Sequence, residues 1–314
     1  FMAKLSFKLH SNLRFSLMTN MNGFGPGLKH GDEWQEYSHA SKYKPLGRAT
    51  NFEQNVFYLF SMNHLLNPSL FYDIKLSFQN HYRTAFLYED PFDQRYVSDG
   101  YDRSGGGFVT GGQEKGRWER RQKDFNAKFD LTWQLNKSHS LKTGVVYTQY
   151  NLINNPNKVF DLRSRTGDPS YQSFYYDPNQ QRVVFTDYQP SALADSVVDD
   201  YEKEPFEYSF YIQDKMEFDE LVINLGLRYD YFDANTLYPT DIRNPDNLQD
   251  AVRVSDYVAA KPQEQISPRF GLSYTLGEKA ILHFSYGHFF QMPPFFAMYQ
   301  NNRFRIPTGD FETV

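Results

Sequence analysis

The feature that most limits what this chain can fold into is a strict rotation of its interruptions. Segments of alternating apolar and polar residues are separated by a break of about two to five residues, then by one of roughly thirty to fifty, then by a short one again. Ala3–Leu9 and Leu13–Met21 flank His10-Ser11-Asn12, and Asn51–Leu65 and Leu70–Leu87 flank Asn67-Pro68-Ser69. Trp118–Leu135 and Leu141–Asn151 flank the turn Asn136–His139, and Phe206–Phe218 and Leu221–Asp230 flank Asp219-Glu220. Ile266–Leu276 and Ala280–Gln291 flank Gly277-Glu278-Lys279. A period of two places alternate side chains on opposite faces of a strand. In the eighth segment Leu221, Ile223, Leu225, Leu227 and Tyr229 share one face, and Val222, Asn224, Gly226, Arg228 and Asp230 the other. The expected architecture is therefore all-β: about ten antiparallel strands in five hairpins, each strand with one greasy and one wet face.

What the greasy face touches is the decisive question. Long structureless loops are uncommon in compact water-soluble domains, whereas outer-membrane barrels have short turns on one rim and long loops on the other. Leu70–Leu87 is longer than the usual strand of a globular protein, and a tilted membrane span needs only about 9 to 11 residues. Composition fits: aromatics are 18% of the chain while mean hydropathy is −0.68, a pairing that suits strands meeting lipid with alternate residues. No stretch approaches the roughly 18 to 20 apolar residues of a transmembrane helix. The net charge of −5 gives no footing for nucleic acid, and the absence of cysteine excludes disulfides and thiolate chemistry. The start FMAKLSF has no secretory leader pattern, so an exported protein would be mature or incomplete here. No period of 20 to 50 residues repeats, which argues against solenoids and propellers.

Four strand strings carry a family resemblance. Tyr211-Ile212-Gln213-Asp214-Lys215 resembles Y-[LI]-Q-D-[EK], and Leu225-Gly226-Leu227-Arg228-Tyr229-Asp230 matches L-G-L-R-Y-D. Ser267-Pro268-Arg269-Phe270-Gly271-Leu272-Ser273-Tyr274 resembles S-P-R-x-G-[LA]-[ST]-Y, and Phe284-Ser285-Tyr286-Gly287 through Pro293 resembles A-S-Y-G-x-G-F-R-x-P, with Gln291 in place of the usual Arg. In this order the strings resemble TonB-dependent outer-membrane receptors, clearly over Phe206–Pro294 and in layout only before that. The resemblance implies an antiparallel transmembrane β-barrel, a portion of one with 22 strands around a plugged lumen, in the bacterial outer membrane. It implies active uptake of a scarce nutrient, which iron chelate, cobalamin, oligosaccharide or peptide would each satisfy, and no catalysis. Its partners would be outer-membrane lipid, a plug domain (absent from this sequence, as is a TonB box), the TonB energising complex, a small nutrient ligand and, as a further candidate, a surface lipoprotein. On this reading residues 1–314 are one partial barrel domain with extracellular loops near 23–50, 88–116, 154–205, 233–264 and 292–314.

The expected lumen-lining residues are Asp73, Lys75, Arg83, Lys128, Asp130, Arg228 and Arg269. Asp214 is an exception: parity puts it on the lipid side unless a bulge reverses it. The loop aromatics Tyr88, Tyr96, Tyr101, Tyr175 and Tyr176 are candidates for substrate contact, against the simpler role of packing their own loops. Glu89, Asp90, Asp93, Asp99 and Asp102 are rich in oxygen but lack the EF-hand calcium spacing. The glycines 105–107 and 111–112 lack the Lys-Ser/Thr of a phosphate loop. The eight histidines have no metal-binding spacing, no nucleophile elbow is present, and neither metal nor cofactor is expected. Two other readings remain open at this stage: a complete ten-stranded outer-membrane protease with acidic and histidine residues at its rim, and a soluble β-sandwich binding protein.

Overall fold

A computed structural model describes residues 1–23, 42–93, 95–97, 103–105, 107–161, 174–179, 182–185, 190–194, 201–241, 256–277 and 279–300. Ten long strands follow one another in a single antiparallel sheet: β1 (Met2–His10), β2 (Leu13–Asn22), β3 (Thr50–Asn67), β4 (Leu70–Phe86), β5 (Gly116–Gln134), β6 (His139–Asp161), β7 (Phe206–Phe218), β8 (Leu221–Asp233), β9 (Gln263–Leu276) and β10 (Ala280–Gly287). Each strand pairs with its neighbours in sequence, so the sheet is an unbroken meander with the short turns at one rim and the long connections at the other. In the Asp219-Glu220 turn Asp219 has φ +33°, a left-handed conformation that Asp tolerates.

The sheet is inside out compared with a protein that hides its oil. Along one surface, cross-strand pairing lines up Phe15, Met62, Ile74, Phe129, Val145, Phe210, Tyr229 and Ile266. Members of such rows stand open: Leu76 is 39% exposed, Leu225 46%, Leu227 48% and Ile266 61%, and Ile74 is half-buried. The other surface buries polar groups, among them Ser267, Ser209, Asp130, Thr148 and Asp230. Water would not hold this arrangement, because exposed apolar patches of this extent are unfavourable there; hydrocarbon would.

Two expectations are corrected. β6 runs ten residues past Asn151, to Asp161, because Gly116–Arg120 of β5 continues the ladder and the short strands Pro190–Ala194 and Tyr201–Lys203 add to its other edge. The connection expected to be irregular over 154–205 thus begins as sheet. β10 stops at Gly287, four residues before the expected end. There the His288 amide donates to the Pro268 carbonyl at 3.1 Å, and Pro293-Pro294 follow. The tail then folds back as a one-turn helix, Phe295–Met298. No register shift disturbs β7, so Asp214 does stay on the apolar surface. Its Oδ2 lies 2.7 Å from Nδ1 of His139, at the short-turn rim.

Candidate functional site

The polar surface is knitted by bonds that cross strands. Opposite Lys128 and Asp130 the register brings Val146 and Gly144, and beyond them Ser209 and Tyr211. Gly144 leaves room for the Tyr211 ring to lie over the backbone, and the Tyr211 hydroxyl donates to Asp130. Lys128 Nζ approaches the other carboxylate oxygen at 3.0 Å. One strand further on, Arg228 Nε donates to Asp230 at 2.8 and 3.0 Å while its Nη2 donates to Ser209 Oγ at 2.8 Å. Toward the long-loop rim Glu53 meets His81 at 2.8 Å and Arg83 at 3.6 Å. Such charge-assisted bonds rigidify a polar wall when each member is satisfied.

All seven expected lumen residues lie on this surface, but they form several groups. Lys128 and Asp130 pair with each other, whereas Arg228 takes Asp230 and Arg83 takes Glu53. Asp73 accepts from Asn63 Nδ2 at 2.9 Å. Lys75 stands in register with Lys128, two like charges across the β4–β5 pair. Arg269 is exposed and stacks 5.4 Å over the Phe289 ring. Sequence reasoning missed Tyr211 and Gly144, although both fall on the polar parity of their strands. It also missed an apolar group on the polar surface near the long-loop rim. There Phe295 packs edge-on against Tyr150 at 4.7 Å, Tyr299 lies 5.6 Å from Tyr201, and the Tyr299 hydroxyl donates to the Ala234 carbonyl at 2.8 Å. Phe232 and Leu152 are buried on the same surface. Phe232 breaks the polar set of β8, the signal that would have pointed here. Burial pushes the Tyr299 phenol above its ordinary value.

Among the loop aromatics, Tyr96 is 2% exposed and packs with Leu87 and against the Tyr88 ring at 4.9 Å. It therefore packs its loop and has no surface to offer a substrate. Tyr88 is half-buried, with the Arg95 guanidinium 4.1 Å over its ring. Burial raises both phenols, with Arg95 opposing the shift at Tyr88 and the Tyr88 backbone hydrogen bond opposing it at Tyr96. Tyr101 lies outside the described residues. Tyr175 and Tyr176 sit in a short strand, Phe174–Asp177, paired with Val184 and Val183, and their side chains are likewise outside the described set. Of the acidic loop residues, Asp93 is tied to Arg95, and no group of three acidic or histidine residues that would hold a metal occurs among the described residues.

One side chain holds this loop together. Gln113 Oε1 accepts from the Val97 amide at 2.7 Å, and its Nε2 donates to the Tyr88 hydroxyl and the Arg95 carbonyl at 3.0 Å each. Replacing it by Ala leaves those groups without this partner, and hydrogen exchange of the amides of Tyr96 and Val97 is expected to speed up by about tenfold or more. Acid should loosen the loop in the same way. The Arg95 hydrogen bond holds the Asp93 carboxyl below its ordinary 3.8. A carboxyl lowered on folding stabilises above its unfolded value and loses that contribution as pH falls through the lowered one. Unchanged exchange in Gln113→Ala would show that ring packing alone orders the loop.

An antiparallel meander with oily rows outward, polar groups buried on the other face and turns of sharply unequal length defines a β-barrel wall built for an outer membrane. Residues 27–313 match the family described as "Outer membrane beta barrel domain", and the chain belongs to that family. Its place is accordingly the outer membrane, and a soluble β-sandwich is excluded. The fold is similar to that of the solved copper transporter OprC, with a TM-score of 0.51 at 10% identity. The match covers 93% of this chain and 36% of that one, so the chain spans little more than a third of the length of that transporter. No curated protein matches the sequence.

Proposed function

We propose that the chain is the wall of a TonB-dependent transporter that takes up a scarce nutrient across the outer membrane, with no catalytic role. The observation that carries this reading is where the four strand strings fall. They fall in β7, β8, β9 and β10, the fourth with only its Phe284–Gly287 part in the strand, four consecutive hydrogen-bonded strands in the order the receptors have them. The polar surface supports it: fixed ion pairs and a tyrosine knot make a rigid wall that a plug domain could lie against. The fold likeness to a transporter adds a further, coarser support. Asp73, Lys75, Arg83, Lys128, Asp130, Arg228 and Arg269 face the lumen in this reading. Tyr88, Tyr101, Tyr175 and Tyr176 remain the loop aromatics assigned to the substrate entrance.

The test is growth of a deletion strain on single iron, cobalamin, glycan or peptide sources, followed by labelled uptake of whichever source fails to support it. Uptake is expected to need this chain and to stop when the proton-motive force is collapsed. Uptake that needs the chain but survives collapse would make it a passive pore. A deletion strain that grows normally on every source would remove the nutrient role altogether.

A further inference from the structure

We propose that the outward surface of the β5–β6 hairpin, at Arg121 and Lys123, binds the phosphate of an outer-leaflet membrane lipid. The cross-strand pairing assigns every position of the ten strands to the apolar or the polar surface. On the apolar surface, among the described residues, the only Lys or Arg side chains are Arg117, Arg121 and Lys123, all in β5. Their height is fixed by the oil beneath them. In β5 the outward residues Phe125, Ala127, Phe129, Leu131 and Trp133 form one apolar run, the length a tilted strand needs to cross hydrocarbon, about 9 to 11 residues. In β4 the matching run Leu70, Tyr72, Ile74, Leu76 and Phe78 ends at the same row, and Asn80 and Tyr82 follow. Lys123 pairs with Asn80 and Asn151, and Arg121 with Tyr82 and Ile153. These two cations are thus the first two outward positions past the hydrocarbon on the long-loop side, the level of the outer-leaflet headgroups.

The local chemistry fits a phosphate. Arg121 lies over the Tyr82 ring at 4.8 Å, which fixes the guanidinium beside the oily surface. One of its terminal nitrogens is 3.4 Å from Glu119, while its Nε is buried with no hydrogen-bond acceptor. Lys123 has no ion pair among the described residues. The remaining carboxylates nearby, Glu202 and Glu204, accept from Asn151 Nδ2 at 3.2 Å each. Arg117 is engaged elsewhere, donating to the Glu89 carbonyl at 3.0 Å, so the site narrows to one guanidinium and one ammonium. A planar guanidinium beside a point-charge ammonium is the pairing that holds a tetrahedral anion, and at the hydrocarbon edge the attraction is less screened than in water. The lipid's chains would lie on the apolar run below.

The experiment is native mass spectrometry of the full protein in detergent with three probes: diphosphorylated lipid A, the same lipid after phosphate removal, and inorganic phosphate. The wild-type protein is expected to retain the phosphorylated lipid at least about tenfold more tightly than the dephosphorylated one, with retention falling as salt rises. Arg121→Gln/Lys123→Gln should abolish that preference. Arg120→Gln, one residue away on the polar surface, should leave it intact. If the double variant does not fold, Lys123→Gln alone, a change at an unpaired side chain, should still reduce the preference severalfold. Equal retention with and without phosphate, equal loss in Arg120→Gln, or inorganic phosphate binding as tightly as the lipid would each overturn the proposal.

Discussion

Leu225→Arg is expected to destabilise the membrane-inserted protein by about 2 to 4 kcal/mol, the usual cost of a cation on the lipid face near the bilayer midplane. Asn224→Arg, one residue earlier, is expected to cost under about 1 kcal/mol on the same reasoning. Leu225 is the third outward residue of six in β8 from Leu221 to Tyr231, so it sits mid-span, and it is 46% exposed. Asn224 points to the polar surface, beside Gly271, where a longer polar side chain has room. Neither change touches the hydrogen-bond ladder, so the contrast isolates the medium that each face meets. Urea unfolding in phospholipid vesicles reads both. Leu225→Arg with Leu76→Arg, several strands away, should be close to additive. Were Leu225→Arg as mild as Asn224→Arg, the apolar rows would be facing water or protein, and the outward assignment of every strand would reverse.

The ten strands were legible because hydrocarbon enforces a period of two without exceptions for long stretches, as in Leu70 through Phe78. Where lipid ends, so does the signal. Asn154–Asp161 continues β6 with no oil to alternate, and its strand character comes from partners far away in sequence. The early end of β10 falls opposite Pro268, which accepts from the His288 amide but has no N–H to return the bond, a pairing that only the fold creates. The faces of the charged residues were equally legible, since parity sets them, but their partners were not. Arg228 and Asp230, two apart on one strand, could have been paired from the sequence. Tyr211 and Asp130 are 81 residues apart, and joining them takes the register of three strands. In the loops, composition named aromatics without telling a packing residue from a binding one. Tyr88 and Tyr96 are candidates on the same footing in the sequence, yet Tyr88 is half-buried and Tyr96 is 2% exposed.

The second large effect is expected at Gly144, where the polar wall is most tightly built. A Cβ added there would lie 2.6 Å from Asp130 Oδ1, 2.7 Å from the Phe129 carbonyl and 2.7 Å from Cε1 of Tyr211. The carbonyl belongs to the paired strand and cannot withdraw without opening the ladder, so the Tyr211 ring has to leave. Gly144→Ala therefore combines overpacking, about 1 to 3 kcal/mol, with loss of the tyrosine bond to a carboxylate, about 1.5 to 3 kcal/mol. Tyr211→Phe removes only the second part, because Lys128 still holds Asp130. Tyr211→Ala vacates the space, so in that background Gly144→Ala should cost at least about 1 kcal/mol less than in the wild-type protein, a coupling of the size expected for residues in contact. Vesicle unfolding of the four proteins of this cycle measures it. Strict additivity would mean that the ring does not rest on Gly144, and the knot at Asp130 would then be held by Lys128 alone.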